Sequence, residues 1–121
     1  MALDVAGLDM YTGDLEFIKA GATPSFIIRG DRVTRVDSRT LPAGLLPVLE
    51  PEVYKCRVVP GDRIVMLSDG VLPSGESPHG LEAFMLNPSV TPKSLVAMAK
   101  KLYGNSLPDD MTAIIMAVEK I

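Results

Sequence analysis

A chain of 121 residues with 47% hydrophobic content is long enough for one domain with a modest core and too short for two. Its 12 Lys and Arg are dispersed among 15 Asp and Glu, for a formal charge of −3, which argues against a basic surface for nucleic acid or anionic membrane. Cys56 is alone, so no internal disulfide can form; with no basic leader and no apolar run near the roughly 20 residues of a membrane helix, the expectation is a cytoplasmic chain with no membrane insertion.

The first two thirds alternate short strands with turn chemistry. Leu3 to Tyr11 and Asp14 to Ala20 flank Thr12-Gly13, a hairpin turn in which Gly13 supplies a positive φ. Ser25 to Arg29 and Arg32 to Asp37 flank Gly30-Asp31, a second hairpin. The stretch "LPAGLLP", residues 41 to 47, is apolar but broken by two prolines and a glycine, and reads as a packed loop. Glu52 to Val58 alternates as a strand, and Pro60-Gly61-Asp62 turns into Arg63 to Ser68. These strands read as an antiparallel meander.

A short helix is expected over Leu81 to Leu86. The strongest helix starts at Thr91 as N-cap with Pro92 in the first helical position, where the missing N–H costs nothing. Leu95, Met98, Ala99 and Leu102 share one face at helical spacing, and Gly104-Asn105 supplies a C-cap. The last segment, Met111 to Glu119, is apolar with little alternation, which suits a central strand covered on both faces. The count is about seven strands and one or two late helices, hence an α+β fold with an antiparallel β-sheet covered by helices. Leu3 already lies in a strand without a preceding cap, so the chain is expected to begin partway through a fold.

Three acids stand at strand ends: Asp69 in "IVMLSDGVLP", and Asp109 with Asp110 before the last strand. If the two strands are antiparallel neighbours, the three carboxylates meet at one sheet edge. Clustered carboxylates repel one another unless a cation is shared, and oxygen-only ligands suit Mg²⁺ or Mn²⁺. Zinc would favour His or Cys, of which the chain has one each. Asp-Gly after a strand is, however, most often an ordinary turn, and spacing leaves both readings open. His79, between Pro78 and Gly80, reads as a loop residue. Ser68 and Ser74 lack a partnered base, so a nucleophilic triad is not supported, and no phosphate-cradling glycine motif occurs.

Several motifs then fall in a familiar order: "LDVAGLDMYTGDLEFIKAGATPSFIIRGD", "LPAGLL", "PGDRIVMLSDGV" and "PDDMTAIIMAVEK". Together, over nearly the whole chain, they resemble the C-terminal half of the PPM-type (type 2C) serine phosphatase domain of the stage II sporulation protein E family. That resemblance implies a single, partial domain over residues 1–121 of a PPM-like α-β-β-α sandwich. It also implies two Mn²⁺ or Mg²⁺ ions between central antiparallel sheets, where a metal-activated water attacks a phosphoserine phosphorus.

Carried over by position, the resemblance makes Asp69 and Asp109 metal ligands, with Gly70, Asp110 and Thr112 in supporting roles and no catalytic side chain beyond the ligands. The family's upstream Asp-Gly-Met-Gly motif has no counterpart here, which implies weak or absent metal binding and little or no activity for this chain by itself. The implied partner is a phosphoserine protein of the anti-sigma-factor antagonist kind, the parent of such a domain being membrane-tethered through upstream segments. A reading from another class is a non-catalytic interaction or assembly module, and either reading carries an expectation of self-association through an open sheet face or edge strands.

Overall fold

The computed structural model describes residues 3–20, 22–37, 52–68, 79–103 and 112–120. They form, in chain order, β1 (Leu3–Leu8), β2 (Asp14–Ala20), β3 (Ser25–Arg29), β4 (Arg32–Val36), β5 (Glu52–Arg57), β6 (Arg63–Leu67), α1 (His79–Met85), α2 (Pro92–Tyr103) and β7 (Ala113–Ala117). The α+β class, the strand count and the late helices agree with the sequence reading. The expected packed loop at 41–47, the C-cap at Gly104-Asn105 and the extension of the last strand back to Met111 lie outside the described residues.

The strands divide between two antiparallel sheets, ordered β1-β2-β5 and β4-β3-β6-β7. A single meander is therefore corrected: β5 returns to β2, and the turn at Pro60-Gly61-Asp62 carries the chain into the other sheet. Burial explains the division. β2 buries Leu15, Phe17 and Lys19 on one face, whereas β3 is buried on both faces from Ser25 to Ile28, so the four-stranded sheet needs cover on each side.

One core cluster, built on Leu15, Phe17, Ile27, Val36, Val58 and Ile64, fills the space between the sheets. A second joins Phe26, Ile28, Val65 and Leu67 to Leu81 and Met85 of α1 and Leu95 and Ala99 of α2. The described residues thus stack as sheet, sheet and helices, three layers of the sandwich that the resemblance implies. Val5 and Val53, on the outer face of the three-stranded sheet, are exposed.

The turns follow local chemistry. β1 stops at Leu8, short of the expected Tyr11, because the Asp9 carboxylate accepts from the N–H groups of Tyr11 (2.9 Å) and Thr12 (3.2 Å) and folds the chain into a loop. Gly13 closes that loop at φ 79°, and a Cβ there would collide with the Val58 carbonyl oxygen. At the second hairpin Gly30 has φ 60° and Asp31 has negative φ, the pattern of a type II′ turn.

Helix α2 is capped as its sequence predicts. Thr91 Oγ1 accepts from the Ser94 N–H at 3.0 Å, and Ser94 Oγ accepts from the Thr91 N–H at 2.8 Å, a reciprocal box with serine in the third position. Leu95 and Ala99 are buried and Met98 packs beside them, while Leu102 at the end of the stripe is exposed and leans on Gly80. His79 opens α1 instead of lying in a loop, 3.4 Å from Glu82. β7 is corrected from a central strand to the end of its sheet's order among the described residues, with Ile114 half-exposed. A uniformly apolar strand lacks the alternation that marks a solvent-facing side, so composition could not reveal its position.

Candidate functional site

β6 owes its strand form to Ile64 and Val65, β-branched residues buried on opposite faces, and it lies between β3 and β7. Its partner β7 runs antiparallel, with Leu67 opposite Ala113. One residue beyond, Ser68 and Thr112 close the ladder. The Ser68 N–H donates to the Thr112 carbonyl at 2.9 Å, and the Thr112 N–H donates to Ser68 Oγ at 2.8 Å. Asp69 is the next residue after Ser68, and Asp110 stands two before Thr112.

Of the residues expected at the site, Thr112 is described, exposed, and bonded to Ser68. Asp69, Gly70, Asp109 and Asp110 lie outside the described residues. Among the described residues, no group of three or more His, Cys, Asp or Glu is placed to hold a metal ion. A groove of about 460 Å³ adjoins Thr112 and is lined by Pro92, Lys93, Val96, Lys100 and Ala113. A larger hollow, about 760 Å³, lies away from these strand ends, between residues such as Gly7, Asp14 and Lys55 of the three-stranded sheet.

Polar groups that sequence reasoning missed occupy the space between the sheets. Lys19 is 1% exposed; its Nζ lies 2.7 Å from Asp4 Oδ1 and donates to Ser25 Oγ at 2.8 Å. A signal for it existed, since Lys19 continues the inward phase of Leu15 and Phe17. At the opposite end of the seam, buried Asp62 accepts from Arg29 Nε at 3.0 Å and Nη2 at 2.7 Å, and from the Val59 N–H at 2.9 Å. The Arg29 hydrogen bonds hold the Asp62 carboxyl below the usual carboxylate range against the opposing effect of burial. Cys56 packs at the edge of the inter-sheet core, and burial raises its thiol pKa.

A sequence profile described as stage II sporulation protein E (SpoIIE) matches residues 1–119. Stage II sporulation protein E of Bacillus subtilis (strain 168) is 27% identical over 126 residues, which cover 97% of this chain and 15% of that protein. Among solved structures, the phosphatase domain of SpoIIE from B. subtilis, presoaked with Mn, superposes with a TM-score of 0.76 at 28% identity. That match covers 100% of this chain and 57% of the other, so this chain spans a little over half the length of its structural relative. A further form of the same B. subtilis domain is described as one without domain swapping. The catalytic domain of the serine/threonine phosphatase PstP, in complex with two manganese ions, has a TM-score of 0.71 at 18% identity. It covers 98% of this chain and 59% of its own, and shares the fold.

Proposed function

The chain belongs to the stage II sporulation protein E family, and on that footing we propose that it supplies the C-terminal, metal-holding part of a metal-dependent protein serine phosphatase. The observation that carries this reading is the reciprocal closure of β6 on β7 by Ser68 and Thr112. It supports a site in which Asp69 leaves one strand beside the point where Asp109 and Asp110 enter the next. The antiparallel pairing on which the sequence argument depended is present.

Asp69 and Asp109 are the proposed ligands, and their donor set suits the ion. Carboxylate oxygens are hard donors that match Mn²⁺ or Mg²⁺. When bound, the metal supplies Lewis-acid polarisation of a phosphoryl oxygen and a water of lowered pKa. Asp110 takes a supporting role beside the ligands, as an acceptor for hydrogen bonds from metal-bound water, Gly70 lets the backbone pass close to them, and Thr112 anchors the second strand. Lys93 and Lys100, on the groove beside Thr112, would favour an anionic, phosphorylated protein. The proposed substrate is phosphoserine on a regulatory protein of the anti-sigma-factor antagonist kind.

Two carboxylates hold a divalent ion weakly, so little or no turnover is expected from the chain by itself. The test is Mn²⁺-dependent hydrolysis of a phosphoserine protein by the chain and by a longer polypeptide that also carries an upstream Asp-Gly-Met-Gly segment. Activity in the longer form, lost on Asp69→Asn, is the expected result. Inactivity of both would overturn the catalytic assignment.

A second reading, an assembly module, draws on the exposed apolar residues Leu3, Val5 and Val53 of the three-stranded sheet. Light scattering separates the two readings: a strictly monomeric chain at high concentration counts against assembly.

A further inference from the structure

Among the described residues, Lys19 and Asp62 are the two charged residues in the buried class. Asp62 secures the turn between β5 and β6, but the position of Lys19 has no such local explanation. It sits at the end of β2, directly across from Asp4 of β1, and reaches over the seam to Ser25, the first residue of β3 in the other sheet. Ser25 is itself wholly buried. The Lys19 ammonium therefore joins three strands and both sheets.

That junction lies at a specific end of the molecule. β3 pairs with β6 in a register that sets Phe26 opposite Val65, and continuing it by one residue sets Ser25 opposite Met66. Two residues farther, just past the end of β6, is Ser68, bonded to Thr112. Lys19 thus fastens the sheets together at the end of the seam from which the chain runs into Asp69. The far end of the β6–β7 ladder, where the Val118 N–H donates to the Asp62 carbonyl at 2.8 Å, is held by a different set of contacts.

Stability alone does not account for the arrangement. Desolvating an ammonium and a carboxylate costs as much as their attraction returns, and apolar replacements of buried ion pairs are often neutral or stabilising. What such a pair fixes is geometry, because each of its bonds demands a distance and a direction.

We propose that Lys19 is a positioning residue, a strut from Asp4 through Lys19 to Ser25 that sets the spacing of the two sheets at the end where β6 and β7 lead into Asp69, Asp109 and Asp110. Its functional meaning rests on the metal-site reading above; its structural effect does not.

The test compares amide hydrogen exchange at the two ends of one ladder. In the double variant Asp4→Leu/Lys19→Met, which removes both charges together, the Ser68 and Thr112 amides are expected to exchange about tenfold faster while Val118 is unchanged and Tm is held or raised. Ser25→Ala, which cuts only the link between sheets, should show the same asymmetry. Lys19→Arg, which can still reach both partners, should restore protection at Ser68. Equal acceleration at both ends with a lower Tm would make the pair a merely structural contact and overturn the proposal, as would unchanged exchange at Ser68 and Thr112.

Titration of the same proteins with Mn²⁺ separates this inference from the metal-site reading. Weaker binding in the variants, by about tenfold, is expected from a loosened site. Absence of Mn²⁺ binding even in the longer polypeptide that carries the upstream Asp-Gly-Met-Gly segment would overturn the metal-site reading, and the exchange asymmetry would still decide the strut.

Discussion

The Arg29 guanidinium grips the Asp62 carboxylate through both Nε and Nη2, with Nη2 2.7 Å from Oδ2, and so ties the end of β3 to the turn that passes from one sheet to the other. Asp62 is 1% exposed, whereas the Arg29 side chain stays largely in solvent. The pair is therefore asymmetric: loss of Asp62 strands the Val59 N–H, while its cationic partner can turn to water.

This relationship fixes a pH dependence. The folded-state pKa of Asp62 lies below the ordinary value, so its contribution is fully present above the unfolded pKa, about 4, and is lost as pH falls through the folded value. Thermal unfolding of the chain should therefore show a Tm that declines as pH falls below about 4. Asp62→Asn is expected to cost about 1–3 kcal/mol at neutral pH and to flatten that decline. An unchanged acid limb in the variant would remove Asp62 as its source.

Gly13 should not tolerate a side chain. Its φ of 79° disfavours any L-residue, and an added Cβ would meet the Val58 carbonyl oxygen, whose residue also donates its N–H to the Gly13 carbonyl at 2.9 Å. Gly13→Ala is expected to destabilise by about 1–3 kcal/mol in denaturant titration. Gly7→Ala serves as the control, since a Cβ there meets nothing within 4 Å, and it should be near neutral.

Cys56 should be a slow thiol. Burial against the inter-sheet core disfavours its thiolate, and the opposing field of Arg29 is the smaller effect. Alkylation by iodoacetamide is expected to lag behind that of a free cysteine at pH 8, and its rate should climb at higher pH than for the free amino acid. A rate equal to that of the free amino acid would show that the three-stranded sheet opens readily.

Asparagine at Asp69 or Asp109 should separate metal binding from folding. Each substitution removes a proposed ligand charge and is expected to weaken Mn²⁺ binding by about tenfold or more. In metal-free buffer the same variants should hold or gain stability if the site is as proposed, because carboxylates gathered there would repel. Calorimetry with and without Mn²⁺ reads both effects, and a variant that loses stability without metal would instead mark its aspartate as a turn residue.

The sequence by itself carried the local structure. Gly13 and Gly30 marked the two hairpins, Thr91-Pro92 marked the start of α2, and the spacing of Leu95 and Ala99 marked its buried face. These signals survive in one dimension because turn φ, capping and helical periodicity depend on residues a few positions apart. The order of short motifs also carried the family, and with it the interest in Asp69 and Asp109.

Tertiary structure alone decided how the strands pair beyond the two hairpins. Among the described residues β5 returns to β2 and β7 takes the end of its sheet's order, and the four-stranded sheet is covered by the three-stranded sheet on one face and by the helices on the other. Such pairings join residues far apart in sequence, so no local pattern encodes them. The same holds for Lys19: its phase along β2 marked it as inward, but its partners, Asp4 and Ser25, came from two other strands. It is the stacking of one sheet on the other that puts a buried cation at the end of the seam leading to Asp69.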